Sequence, residues 1–451
     1  MRIHPHDLLL RDFVTGVLED YEKLLGHLVQ CADCRRRLHI LLSLGSVMGQ
    51  VVELQGRQAG PADYDPALSK AGLGLRSLES AFSRERVEAK ALLAELLEHP
   101  AERQVLLVRN SLRFQTWGLC EIILKRSREH NFWDAALGER LALLALEILD
   151  HLDSRYYGSE PIEDLRARAW AYAANSRRMK SDLQGAEEAF ALAFAALERG
   201  TGEPLEKGVI LDLQSSLLKD QHRFEEALRL LRRVVKIFRE VGESHRAGRS
   251  LVKVATVHHF LGEPEKAIPL LYQALELIDS TREPRLRLVA WHNLIDDLAE
   301  TGQFMAAQRL LLKARPLYQQ FSQPWSLHPR QWVESKIARG LGQHELAETL
   351  LLKAQDGFLA DGKLFDAALV SLDLAVIYAE QDRFAELRSV AEIMLPIFSS
   401  RQIHREAMAA LSYWKQAVEA ETACLSLVTR VASFLKRARH NPDLRFRESE
   451  E

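Results

Sequence analysis

Four cysteines in 451 residues are too few for a disulfide framework. Proline and glycine are also sparse, at 14 and 23, while Ala, Leu, Glu and Arg fill nearly every window. Few breakers and many strong helix formers predict helix almost throughout, and no window alternates β-branched with polar residues as a strand would. Charge of one sign is missing too. The 60 Lys and Arg nearly balance 63 Asp and Glu, so no global field points to nucleic acid or an anionic membrane as the main partner. No apolar run approaches the roughly 18 to 20 residues of a membrane span, and the strongest, LALLALEIL at Leu141 to Leu149, is short. The opening MRIHPHDLLLRDF is charged where a secretory signal has an apolar core. A cytoplasmic protein is expected.

Catalytic signatures are missing as well. There is no Gly-x4-Gly-Lys-Ser/Thr loop, no Gly-x-Gly-x2-Gly after a strand and no His-Glu-x2-His helix. Cys120 and Cys424 stand alone in apolar helical context and read as core, and His258 and His259 read as packed or surface groups beside Phe260. A non-enzymatic protein is expected.

What the chain does contain is a repeat. HRFEEALRLL, GEPEKAIPLL, GQFMAAQRLL and GQHELAETLL align without gaps on Ala227, Ala267, Ala307 and Ala347, each 40 residues from the next, and the series continues to Leu387 and Leu427. A turn former stands five residues before most anchors (Gly262, Gly302, Gly342, Asp382), and Val234, Ala274, Ala314, Ala354 and Met394 follow seven after. These spacings describe a hairpin of two helices, A then B, with a small residue where the helices meet. One hairpin cannot bury its own faces, so such units stack into a superhelix with a concave surface lined by the A helices. The pattern resembles the tetratricopeptide repeat, whose small, turn, aromatic and Ala positions are visible in AWAYAANSRRMKSDLQGAEEAFALA from Ala169 to Ala193.

The expected fold is therefore all-α. About eight hairpins occupy residues 101–439, a frayed tail 440–451, and a Gly/Pro/Asp boundary followed by capping helices 55–100. DSRYYGSEPIED interrupts the early rhythm. Counting twelve residues back from each anchor gives the small position of helix A. The A-helix face should then carry Asp212, Ser216, Lys219, Thr256, His259, His292, Asp296, Trp332, Lys336 and Arg339. That mixture suits a peptide or protein surface, or else a merely solvated face. FSQPWSLHPRQWVESK, with Trp325 and Trp332, reads as inter-repeat packing, with a pocket as the alternative.

Residues 1–54 carry different chemistry. In LLGHLVQCADCRRRL, His27 and Cys31 stand at i and i+4 on one helical face, and Cys34 follows one turn on. With His4 or His6 as a fourth donor, two thiolates and two imidazoles suit tetrahedral zinc, and Arg35, Arg36 and Arg37 favour deprotonated sulfurs. Small core residues or a redox dithiol are the competing readings, the latter without the βαβ context it needs. HPHDLLLRDFVTGVL followed by HLVQCADCRRRL resembles the zinc-binding anti-sigma domain. That resemblance implies His4, His27, Cys31 and Cys34 as the ligands of one structural zinc ion and a transcription sigma factor as partner. Four protein ligands leave no open position for hydrolytic chemistry. The expected function is a zinc-dependent anti-sigma-like regulator with a repeat array for protein interaction; the alternative is a scaffold whose zinc domain is only structural.

Overall fold

The computed structural model describes residues 82–131, 133–399, 414, 415, 418, 425–438, 445 and 446. The proposed zinc ligands and Cys424 lie outside the described residues. Among the described residues every regular element is helical. They are α1 (82–97), α2 (Ala101–Asn110), α3 (Trp117–His130), α4 (Ala135–Asp150), the short α5 (Ser154–Tyr157), α6 (Ser159–Met179), α7 (Leu183–Glu198), α8 (Pro204–Asp220) and α9 (Phe224–Glu240). After these come α10 (Ser244–Phe260), α11 (Pro264–Leu277), α12 (Pro284–Glu300), α13 (Phe304–Gln320), α14 (Pro324–Gly340), α15 (His344–Ala360), α16 (Leu364–Glu380), α17 (Phe384–Ser399) and α18 (Leu425–Ala438).

From α8 to α17 a helix begins every 20 residues, so two helices and their turns make the 40-residue repeat. The stops are built locally. Gly262 takes φ 74°, its N–H donates to the His259 carbonyl, and Glu263 N–H donates to the His258 carbonyl, each at 2.9 Å. This is a Schellman closure, which satisfies two orphan carbonyls and needs a residue tolerant of positive φ. The same closure recurs at Gly302, Gly342 and Gly362. Restarts use proline where its missing N–H costs nothing, at Pro204, Pro264, Pro284 and Pro324.

Packing follows the small-residue pattern. Ala227, Ala267, Ala307, Ala347 and Leu387 are all fully buried, as are Val234, Ala274, Ala354 and Met394. The matching A-helix positions Ser215, Ala255, Ile295 and Ser335 are buried too. The described chain forms two compact units. The first comprises residues up to Gln221 with Arg232–Glu243, and the second His222–Leu231 with the residues from Ser244 onward. In the first, α3 packs on α4, α4 on α6, and α6 on α7 and α8. Its core centres on Leu119, Ile123, Ala145, Ile148, Leu165 and Ala169. Gly208 on α8 lets α9 approach, since a Cβ there would stand 2.8 Å from the Phe238 ring. The DSRYYGSEPIED stretch becomes α5 and Gly158 at φ 83°, a corner between α4 and α6. In the second unit α10 pairs with α11, α12 with α13, α14 with α15, and α16 with α17, while neighbouring A helices α10, α12 and α14 touch in sequence.

Candidate partner-binding face

The A helices of the second unit present one polar strip, and its side chains reach across to the next A helix. On α10, His259 Nδ1 lies 2.6 Å from Asp297 Oδ1 of α12, and Thr256 Oγ1 accepts from Asn293 Nδ2 at 3.3 Å. Between α12 and α14, Lys336 Nζ donates to Asp296 Oδ1 and Glu300 Oε1, both at 2.6 Å. Between α14 and α16, Trp332 Nε1 donates to Asp373 Oδ2 at 2.6 Å, and Arg339 pairs with Glu380 at 2.7 Å. Lys436 of α18 takes the other Asp373 oxygen at 2.7 Å. His292 turns toward α13, with Nδ1 2.9 Å from the Tyr318 hydroxyl. The Lys336 ammonium also stands 5.2 Å from the centre of the Trp332 ring, a cation–π distance.

The electrostatics follow from half-burial beside opposite charge. Burial works against ionisation of Asp296, yet Lys336, His259 and His292 outweigh it and hold the carboxyl below the usual range. Lys336 is likewise half-buried, and Asp296, Glu300 and Asp373 outweigh that burial and keep its ammonium more firmly protonated than in water. Asp373 is held low, against its burial, by Lys436 and Lys336. His259 is raised, because its bond to Asp297 and the Asp296 charge exceed the effect of burial. Asp297 is 1% exposed, its Oδ2 has no hydrogen-bond partner, and burial pushes its carboxyl up. Burial lowers His292 despite the Asp296 charge beside it.

In the first unit, Asp212 is buried, with Ser216 Oγ 3.5 Å from its carbonyl oxygen. Lys219 binds Asp220 at 2.6 Å, and Arg178 of α6 binds the same carboxylate. All ten residues expected on the A-helix face therefore lie on A helices, three in the first unit and seven in the second, and each is buried or half-buried rather than fully exposed. The second unit brings His259, Asp296, Trp332, Lys336 and Arg339 into inter-helix contacts, so the strip is a cross-braced surface rather than a row of freely solvated groups. Sequence reasoning missed their partners Asp297, Glu300, Asp373 and Glu380, and also Lys436, which shares Asp373. A signal existed for three of these, since the bonded pairs His259/Asp297, Trp332/Asp373 and Arg339/Glu380 are 38 to 41 residues apart, close to one repeat.

The two tryptophans of the Phe321 to Lys336 stretch pack separately. Arg285 lies 4.3 Å from the Trp325 ring centre, and Trp332 meets Phe358 edge-on at 6.2 Å. A cavity of about 210 Å³ is lined by Tyr318, Phe321, Leu327 and Arg330 among others, and neither tryptophan lines it. Cys120 is fully buried, and burial pushes its thiol up to about 12, which suits a core residue rather than a nucleophile. Among the described residues no cluster of three or more His, Cys, Asp or Glu could hold a metal, and no helix is long and apolar enough to cross a membrane.

Residues 208–280 match the family model of the tetratricopeptide repeat. The helical hairpins form a tetratricopeptide-like array. Among solved structures, a Rap protein complexed with Competence and Sporulation Factor superposes with a TM-score of 0.54 at 14% identity, covering 71% of this chain and 87% of that one. Aspartyl phosphate phosphatase F from Bacillus subtilis gives 0.48 at 12% identity over 89% and 96% of the two chains. A STAND protein with a tetratricopeptide repeat sensor from Pyrococcus horikoshii gives 0.47 at 13%, over 93% and 68%. At 14% identity the likeness to the Rap protein speaks for the fold alone. No curated protein matches the chain. Tetratricopeptide-like repeats support a protein-interaction or regulatory role.

Proposed function

We propose that this chain is a non-enzymatic, cytoplasmic regulatory protein whose repeats bind a protein or peptide along the A-helix face and whose N-terminal segment binds a transcription sigma factor. The observation that carries the first half is the strip from His259 to Arg339. There the repeat places groups of both charges, an indole and two imidazoles on successive A helices, held rigid by inter-helix bonds. Such a surface offers a partner pre-positioned polar contacts with little side-chain entropy left to lose. The Rap protein of similar fold is complexed with Competence and Sporulation Factor, which supports partner binding by an array of this kind.

The second half rests on the resemblance of residues 1–54 to the anti-sigma zinc domain. His4, His27, Cys31 and Cys34 are its proposed ligands, and one structural zinc would hold the helices that cover the sigma factor. The scaffold reading, with function wholly in the repeats, draws support from the tetratricopeptide match at residues 208–280.

One experiment separates them. Proteins captured from the native host by the intact chain are compared with those captured by the Cys31→Ser/Cys34→Ser variant. A sigma factor recovered with the intact chain alone supports the regulator; the same non-sigma partners in both samples leave the metal architectural.

A further inference from the structure

The last described helix breaks the packing rule of the array. Elsewhere in the second unit an A helix contacts its own B helix, the B helix before it, or a neighbouring A helix. α18 begins in step with the 40-residue series, as a B helix would, yet it lies against the A helix α16. α16 is closed on every side, in one buried cluster with α18 and with Trp414 and Val418. Its residues from Ala367 to Tyr378 are buried without interruption, all round the helix. On α10, α12 and α14 the corresponding face stays half-open at Thr256, His292 and Trp332.

α18 is built to lie on a surface. Leu427, Val428, Val431, Phe434 and Leu435 form one buried side at helical spacing, and Thr429, Ser433 and Arg437 are exposed on the other. Its basic last turn reaches along the polar strip. Lys436 Nζ binds Asp373 Oδ1 at 2.7 Å, on the carboxylate that also accepts from Trp332. Lys436 further helps hold the Glu300 carboxyl of α12 low, after Lys336. Arg437 reaches the α10–α11 turn, where its Cδ is 3.7 Å from the place a Cβ would occupy on Gly262.

We propose that α18 is a built-in occupant of the A-helix face, and that the strip it covers is a docking site for amphipathic helices carrying a cation in their last turn. The proposal rests on the reading that the array binds its partner on that face. A partner helix of the same pattern, apolar on one side and basic at its C-terminal end, competes with α18 for α16 and for Asp373. Access to the face is then set by release of α18, and partner affinity is lowered by the fraction of chains in which α18 is seated.

The probe is a fluorescently labelled peptide of residues 425–438, LSLVTRVASFLKRA, titrated by anisotropy into the full chain and into full-length Lys436→Glu and Lys436→Met variants. Glu at this position opposes Asp373, whereas Met keeps the apolar stem and removes only the charge. The peptide should bind the Lys436→Glu chain at least tenfold more tightly than the wild-type chain, with Lys436→Met between them. Asp373→Asn in the Lys436→Met background should remove the gain. Hydrogen exchange in the wild-type chain should show α18 amides opening at least tenfold faster than those of α16. Equal peptide binding by all chains, or α18 opening only together with α16, would overturn the proposal and make α18 a fixed end of the core. No partner protein enters this test, so its failure is distinct from failure of the partner-binding reading.

Discussion

Replacing Lys336 by Met tests the cross-braced strip at its most loaded joint. The Lys336 ammonium bonds two carboxylates of α12 from α14, and its side chain is 16% exposed, against 17% for Asp296 and 36% for Glu300. Met retains the packing of the aliphatic stem. What is lost is the cation, leaving Asp296 charged in a half-buried setting. Removing one partner of a fully buried pair costs roughly 3–5 kcal/mol, and the exposure of Glu300 lets solvent screen part of that. The expected loss is about 2 kcal/mol, concentrated between α12 and α14, because repeats of a solenoid feel mainly their neighbours. Native-state hydrogen exchange reads this directly. Amides of α12 and α14 should exchange about thirtyfold faster, at 1.4 kcal/mol per tenfold, while those of α3 and α4 should not change. Adding Asp296→Leu should recover part of the loss by removing the stranded charge. An exchange increase below threefold, or a double variant worse than the single one, would refute the argument.

Four further outcomes follow, three from the same geometry and one from the proposed zinc site. The His259 and Asp297 pair should make the second unit sensitive to alkali. A histidine raised by folding gives its full stability below its ordinary value of 6.5 and loses it as pH rises through the higher folded value. Asp297, also raised, loses its share as pH rises above its ordinary 3.8, so the fall in denaturant midpoints above pH 6.5 belongs to His259, and His259→Asn should flatten that slope. Ala307→Leu should cost roughly 1–3 kcal/mol by overpacking a fully buried helix contact. Gly302→Ala should cost about 1 kcal/mol from its φ of 76° alone, since no atom lies near the added methyl; urea titration followed by circular dichroism measures both. The intact chain should carry one zinc per molecule and the Cys31→Ser/Cys34→Ser variant none, measured by atomic absorption after dialysis.

The hairpin rhythm was legible because it is written in positions with one physical job each. Alanine at 227, 267, 307 and 347 admits a close helix, and glycine at 262, 302 and 342 closes a turn at positive φ. The A-helix face was legible from the same register, since it needed only a count of twelve from each anchor. Its bonding was not, because each pair joins residues about 40 positions apart whose side chains meet only after stacking, as with Arg339 and Glu380. The placement of α18 was hidden for a different reason. Leu427 keeps the 40-residue spacing, so periodicity alone assigned it a B-helix role, and only tertiary contact with α16 separates the two arrangements.

The most direct test of partner binding on the A-helix face compares one captured partner against two sets of variants by titration calorimetry. Trp332→Phe and Lys336→Met alter the A-helix strip, while Met305→Ser and Leu312→Ser alter exposed apolar positions of the B helix α13. The account predicts at least tenfold weaker binding for the first set and unchanged binding for the second. Full affinity in the A-helix variants with loss in the B-helix variants would contradict it and move the binding surface to the B helices.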